Sequence, residues 1–128
     1  MHFHTPSEHL VDGVTYPMEM HIVTNVPPKN STEKPHYLVI GVLFKVEQTN
    51  KFLDEFINLI PKKVHSVAPL NPGSVKLHDL FPDDGDRDGG NFYHYRGSLT
   101  TAPYTEAVEW FVLKHIIEAS PGKIIKNS

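Results

Sequence analysis

The segment Tyr37–Val46, YLVIGVLFKV, decides the fold, because it is a nearly continuous run of aliphatic, β-branched and aromatic residues. Runs of this length and composition are typical of a strand that is buried on both faces of a sheet. We therefore expect Tyr37–Val46 to lie at the centre of a β-sheet, with the other strands on either side of it.

Two shorter segments on the N-terminal side alternate as strands do. In Met1–Thr5, His2 and His4 fall on one face. Residues 19–23 alternate in the same way, so that Glu19, His21 and Val23 share one face. We predict two neighbouring strands here, the second antiparallel to the first.

The remaining elements are predicted from composition and spacing. β-Type residues return at 92–95 and again, more strongly, at 107–113. Apolar residues at helical spacing predict a helix over 50–60. Residues 66–91 are rich in proline, glycine and aspartate and are expected to form an irregular excursion.

Length and composition limit the classes of function. A chain of 128 residues can bury one hydrophobic core, so we predict one domain over residues 1–128. Its fold class is mainly β, an antiparallel to mixed twisted sheet with a few peripheral helices. The net charge of −3 argues against nucleic acid and anionic membranes as partners. No apolar run approaches the roughly 20 residues that span a bilayer, and no secretory signal opens the chain, so we expect it to be soluble.

The chain has nine histidines and no cysteine, so a bound metal must use imidazole, carboxylate, backbone or water ligands. Two histidines at i and i+2 on a strand point the same way, so His2 and His4 can share one ion with His21 from the next strand. Three neutral imidazoles leave the fourth tetrahedral position open, as in catalytic zinc sites. Glu19 lies where it could accept a hydrogen bond from the second ring nitrogen of a ligand. The alternative is that these are ordinary surface or core histidines.

A second metal family shares part of this pattern. The spacing His2-x-His4-x-x-x-Glu8 is similar to the first motif of cupins, in which the glutamate itself binds iron or manganese. Carboxylate with imidazole suits those metals, whereas three imidazoles suit zinc. The N-terminal residues alone do not decide between the two.

The segment Gly97–Pro103, GSLTTAP, decides between these two families. The chain resembles the α-class carbonic anhydrases in a series of motifs that follow the family's order: HFH, SEH, EMHIV, LVIGVLFKV, YRGSLTTAP and EAVEWFVLK. The resemblance covers nearly the whole chain, and no second cupin motif follows. It implies reversible hydration of carbon dioxide to bicarbonate and a proton by zinc-bound hydroxide.

The resemblance also implies roles for individual residues around the metal. The ligands of Zn2+ would be His2, His4 and His21. Glu19 would accept a hydrogen bond from His21, and His9 would be a buried structural histidine. The role of Glu19 agrees with the position that strand alternation gives it.

Two further residues match the family's catalytic groups, and six match its pocket. Thr100 matches the hydroxyl that accepts a hydrogen bond from the hydroxide, and Glu8 matches the buried carboxylate that receives the threonine proton. A hydroxyl that donates to a carboxylate can only accept from the nucleophile, and so orients it. The apolar wall for carbon dioxide would be formed by Val23, Val39, Leu99, Val108 and Trp110, with Thr101 at the pocket mouth. By residue type, the five wall residues are also ordinary core residues.

The chain departs from the family in its extent. The resemblance begins one residue before His2, so the strands before it and the family's proton-shuttle histidine have no counterpart. His65, His78 and His94 do not align with functional positions, and the shuttle stays unassigned. Exposed sheet edges and apolar faces favour self-association, so we expect a homo-oligomer, most simply a dimer. Tyr104 stands where many secreted relatives have a cysteine, which leaves the compartment open.

Two alternative functions remain. A carbonic anhydrase-like zinc-binding module would keep the fold and the three histidines but would have lost efficient catalysis. A cupin-like oxygenase would bind iron or manganese with Glu8 as a ligand. Metal content and the rate of carbon dioxide hydration distinguish these alternatives.

Overall fold

The computed structural model describes residues 1–46, 73, 76, 80 and 90–119. Its strands are β1 (His2–His4), β2 (Leu10–Val11), β3 (Val14–Thr15), β4 (Met18–Val26), β5 (His36–Val46), β6 (Phe92–Gly97), β7 (Val108–Leu113) and β8 (Ile117–Ala119). The helix predicted over 50–60 and most of the predicted excursion over 66–91 lie outside the described residues. Within the ranges given, no helix is long and apolar enough to cross a membrane.

Strand β5 lies at the centre of a six-stranded mixed sheet, as its apolar sequence predicts. The path through the sheet is β1-β4-β5-β7-β6, and β8 pairs with β5 off this path. Strand β5 runs antiparallel to β4 but parallel to β7 and β8. Strand β1 is antiparallel to β4, as expected, and β6 is antiparallel to β7. The prediction of a mainly β, mixed sheet is confirmed.

Three short strands, β2, β3 and β8, were not predicted. Strands β2 and β3 form a two-stranded hairpin around Asp12 and Gly13, which have φ values of 51° and 76°. Positive φ at both central residues is what a tight two-residue hairpin turn requires. Strand β8 is three residues long. Elements this short carry too few residues to show a periodic pattern.

One face of the sheet packs the main hydrophobic core. The buried residues of this core are Met18, Met20, Val42, Phe44, Leu80, Leu113, Ile117 and Ala119. Phe3 packs against them from β1, with its ring centroid 6.4 Å from that of Phe44. Burial of this face fixes the register of β1 against β4, because a slip by one residue would turn every core side chain to the other face.

The opposite face carries the histidines. Cross-strand pairing places His2 beside His21, His21 beside Gly41, and Gly41 beside Val112. This row crosses four strands, and cross-strand partners in a sheet point to the same face. The sheet therefore holds the N-terminal histidines against the central strand and, beyond it, against β7.

Candidate metal centre

Three histidines converge at the edge of this face. The ring centroids are 4.8 Å apart for His2 and His4, 5.3 Å for His2 and His21, and 4.5 Å for His4 and His21. Each residue offers one ring nitrogen, and these nitrogens lie within 4.8 Å of one another. The structure thus brings together the three residues that the sequence indicated as ligands.

The free nitrogens of this cluster fit a metal ion. Nε2 of His4 is buried and makes no hydrogen bond to any described residue; Oε2 of Glu8 lies 3.5 Å from it. His21 uses Nε2 for a 2.7 Å hydrogen bond to Oε1 of Glu19, which leaves Nδ1 for other partners. A buried polar atom without a partner costs about 1–3 kcal/mol. A metal held by His4 and His21 would satisfy both free nitrogens, and three imidazoles form a donor set that suits zinc.

The electrostatic environment keeps the rings of His2 and His4 neutral. Burial, followed by the nearby His21 and His4 rings, lowers the pKa of His2 to about 4. Burial and then His21 also lower the pKa of His4 below its ordinary value. Neutral imidazole is the form that binds metal ions. Protons therefore do not compete for these two rings near neutral pH.

Glu19 forms the hydrogen-bonding centre behind the histidines. Its Oε2 accepts the backbone N–H groups of Glu8 and His9, each at 2.8 Å. Its Oε1 lies 2.5 Å from Nδ1 of His9 and 2.7 Å from Nε2 of His21. Burial alone would raise the pKa of Glu19, but the hydrogen bonds from His21 and His9 together hold it well below its usual range. The carboxylate is therefore ionised.

The chain of contacts continues outward to Tyr95 on β6. Nε2 of His9 lies 2.5 Å from the Tyr95 hydroxyl. Burial, with the charges of Glu19 and Glu8, raises the pKa of Tyr95, so its hydroxyl is protonated. Tyr95 was predicted only as a strand residue. Its place in the YRGSLTTAP motif and the alternation of β6 were the available signals, and neither identifies a hydrogen-bond partner 86 residues away in the chain.

Trp110 packs against two of the histidine rings. Its ring centroid lies 4.8 Å from those of both His9 and His21, in edge-to-face geometry. Its indole N–H donates to the backbone oxygen of Ser98 at 3.0 Å. Trp110 was predicted to line a substrate pocket, and the structure places it against the metal-site rings.

The other residues expected to line the pocket lie on the same face. Val39 and Val108 are buried with Trp110, and Leu99 packs against this cluster. Val23 pairs with Val39 across the strands and is 38% exposed. Thr101 is exposed. The wall residues thus form one apolar surface next to His21.

Glu8 lies next to two of the histidines, but within the described part of the chain no hydrogen bond joins it to Thr100. Oε2 of Glu8 lies 3.8 Å from Nδ1 of His21 as well as near His4. Thr100 is half-buried in a loop closed by a hydrogen bond from the Leu99 N–H to the Thr105 oxygen. The hydrogen bond from Thr100 to Glu8 stays a prediction.

Gly41 provides the space that Glu19 occupies. A Cβ atom at Gly41 would lie 3.2 Å from Oε1 of Glu19 and 3.4 Å from Cγ2 of Val112. The same atom would lie 3.9 Å from Nδ1 of His9. The absence of a side chain at this position of β5 lets the carboxylate approach the sheet.

His94 lies away from this cluster. Its Nε2 is 2.6 Å from Oε2 of Glu109, and its ring stacks on Phe111. Arg96 donates to the other oxygen of Glu109 at 2.7 Å. These side chains alternate with those of Tyr95 and Trp110 along β6 and β7 and so lie on the opposite face. His65 and His78 fall outside the described residues.

The chain is similar in sequence to the carbonic anhydrases. The profile of the eukaryotic-type carbonic anhydrase family matches residues 1–127. Alpha carbonic anhydrase 3 of Arabidopsis thaliana is 36% identical over 123 residues, which cover 96% of this chain and 41% of that protein. Dioscorin dioA3 of Dioscorea japonica is 28% identical over 126 residues, covering 98% of this chain and 42% of that protein.

The fold comparison gives the same result. The α-carbonic anhydrase of Thermovibrio ammonificans, solved with the inhibitor sulfanilamide, superposes with a TM-score of 0.76 at 32% identity. The match covers 98% of this chain and 50% of that one. The chain thus spans about half or less of the length of the relatives that it matches.

The contact between Gly41 and Glu19 leads to a testable prediction. The substitution Gly41→Ala should lower the free energy of unfolding by about 1–3 kcal/mol, because the added methyl group overpacks the space beside the carboxylate. It should also weaken zinc binding, because Glu19 positions His21. Urea denaturation and competition with a chelator measure the two effects.

Gly90→Ala is the matched control, since no atom of the described residues lies within 4 Å of a Cβ atom there. We expect its effect on the free energy of unfolding to stay within about 0.5 kcal/mol. Equal effects of the two substitutions would contradict the packing argument.

Proposed function

We propose that this chain, which belongs to the eukaryotic-type carbonic anhydrase family, binds Zn2+ through His2, His4 and His21 and hydrates carbon dioxide reversibly to bicarbonate and a proton. One observation carries the proposal: three imidazoles offer nitrogens within 4.8 Å of one another. The unpartnered Nε2 of His4 supports it. Carbonic anhydrases of this family are zinc-dependent in general.

The protein contributes to this chemistry by positioning the ring nitrogens that would bind the metal. When bound, zinc lowers the pKa of a coordinated water to about 7 and so supplies a nucleophile at neutral pH. His21 presents Nδ1 because Glu19 holds its Nε2–H. His4 presents Nε2, which has no hydrogen-bond partner among the described residues. The three nitrogens would hold the ion and would leave it free to bind a water molecule.

Thr100 and Glu8 orient the nucleophile in this proposal. The Thr100 hydroxyl donates to the Glu8 carboxylate and accepts a hydrogen bond from the attacking oxygen, so that a lone pair of that oxygen faces carbon dioxide. The position of Glu8 next to His4 and His21 supports its assignment to the site. The loop closed by the Leu99–Thr105 hydrogen bond holds Thr100 on the strand connection.

The substrate is apolar, and its binding surface is expected to be apolar as well. Val39, Val108 and Trp110 form a buried cluster beside His21, with Leu99 packed against it. Val23 extends this surface next to Val39. Thr101, which is exposed, stands at the mouth. These residues bind carbon dioxide by contact and supply no charged group that would hold bicarbonate.

A second candidate function is a zinc-binding module of the same fold without efficient catalysis. One observation favours it: the described residues show no hydrogen bond between Thr100 and Glu8. This candidate shares the metal site with the first and differs from it in the rate of turnover.

The metal ligands are tested by removing one of them. Wild-type protein should bind about one Zn2+ per chain, and His4→Gln should weaken binding by more than about 100-fold, beyond the usual effect of an outer partner. The loss follows because two imidazoles no longer complete the donor set. Elemental analysis, chelator competition and stopped-flow hydration of carbon dioxide provide the measurements.

His94→Gln is the matched control, because His94 lies on the opposite face and contacts Glu109. It should leave zinc affinity unchanged. A wild-type chain that binds no zinc would overturn the proposal, whereas bound zinc with no rate above buffer would favour the second candidate.

Glu8 distinguishes the family mechanism from a cupin-like site. Glu8→Gln should slow hydration by about 100-fold, because the nucleophile loses its orientation, and should leave one zinc per chain. A cupin-like site would instead lose its iron or manganese, since the carboxylate would be a ligand. Metal analysis and stopped-flow rates decide, with Glu118→Gln as a control at an exposed carboxylate that pairs with Lys45.

A second copy of this chain is the partner that we propose. Strand β6 ends the described path of the sheet, and its Phe92 and Tyr93 are 48% and 43% exposed. Open edges with exposed aromatic side chains favour pairing with another strand. The net charge of −3 gives no support for nucleic acid or an anionic membrane as partner.

We expect a homodimer formed across β6. Phe92→Lys should shift the chain to the monomer, because a two-fold axis brings two like charges together at the edge. Light scattering after size-exclusion chromatography measures the mass. Leu10→Lys, at a 61% exposed position on the β2–β3 hairpin, is the control. A monomeric wild type would contradict the expectation.

A further inference from the structure

Tyr95 is the outer end of a continuous series of side-chain contacts that reaches a metal-site histidine. Its hydroxyl lies 2.5 Å from Nε2 of His9, and Nδ1 of His9 lies 2.5 Å from Oε1 of Glu19. The same carboxylate oxygen lies 2.7 Å from Nε2 of His21. Four side chains from three segments of the fold, namely β6, the turn after β1, and β4, are therefore linked in series.

The proton arrangement that we assign to this series starts at Glu19. Oε2 of Glu19 accepts two backbone N–H groups, and an ionised carboxylate can only accept, so we place protons on the nitrogens of His9 and His21 that face Oε1. An imidazole with a single N–H then has its other nitrogen bare. In this arrangement the Tyr95 hydroxyl donates to Nε2 of His9, and Nδ1 of His21 keeps its lone pair for a metal.

We propose that Tyr95 is a positioning residue of the metal centre, whose hydroxyl fixes the tautomer of His9 and, through Glu19, the tautomer and ring orientation of His21. The inference rests on the three-histidine site proposed above. Without this donor, the His9 proton can move to Nε2, which places a bare Nδ1 against the carboxylate. His9 then stops supporting Glu19, and Glu19 holds His21 less firmly.

Packing keeps the Tyr95 ring in place for this role. The ring is nearly parallel to the indole of Trp110, with 6° between the planes and 6.1 Å between centroids. A Cβ atom at Gly97 would lie 2.9 Å from Cε2 of Tyr95, so the ring lies directly over that glycine. Trp110 also contacts His9 and His21. One aromatic side chain thus aligns both ends of the hydrogen-bonded series.

Tyr95→Phe tests the proposal, because it removes the hydroxyl and keeps the ring. We expect zinc affinity to fall about 10-fold, the lower range for loss of an outer-shell partner. Chelator competition measures it. In the metal-free protein, 15N NMR of the imidazoles should show Nε2–H for His21 and Nδ1–H for His9 in the wild type, and mixed tautomers in the variant.

Tyr93→Phe is the matched control. Tyr93 lies on the same strand and face with similar exposure, and its ring contacts Lys114. It should change neither affinity nor tautomers. His9→Gln adds a coupling test: in that background Tyr95→Phe should weaken zinc binding no further, since its effect passes through the imidazole of His9.

The outcomes separate this inference from the proposed function. Unchanged affinity and tautomers in Tyr95→Phe overturn the inference, and so does a loss of stability alone. A wild type that binds no zinc overturns the proposed function, but the tautomer measurement on metal-free protein still decides the role of Tyr95.

Discussion

The buried, ionised carboxylate of Glu19 accepts four hydrogen bonds, two from backbone N–H groups and two from imidazoles. A buried charge is costly unless it is paired and hydrogen-bonded, and removing one partner leaves the cost uncompensated. These bonds tie the turn after β1 to β4, and Gly41 leaves the space for them on β5. The geometry of the metal site depends on this one group.

The hydrophobic core on the other face of the sheet fixes the register of β1 against β4, the two strands that carry the histidines. Phe3 pairs with Met20 between His2 and His4, so each buried apolar residue fixes the position of a histidine on the opposite face. A slip of β1 by one residue would turn His2 and His4 towards the core and Phe3 away from it. Stability of the core and convergence of the imidazoles are therefore two results of the same pairing.

Prediction from sequence succeeded where the chain has a long apolar run or an alternation of period two. The strand at residues 37–46 was found within one residue of β5, and the alternation of His2 and His4 indicated their shared face. The hairpin formed by β2 and β3 was missed, because two-residue strands show no period. The partnership of Tyr95 and His9 could not be predicted, since it arises only when β6 and the turn after β1 meet in space.

The free nitrogens of the cluster connect metal binding to folding. Nε2 of His4 is buried without a hydrogen bond, and the His2 and His4 pKa values lie below normal because the folded site desolvates both rings. The folded chain thus pre-organises neutral imidazoles at the expense of part of its own stability. A ligand that binds the folded state alone raises the free energy of unfolding, and the gain grows with the logarithm of its concentration relative to its dissociation constant. The same desolvation that weakens the metal-free protein is what makes its nitrogens available.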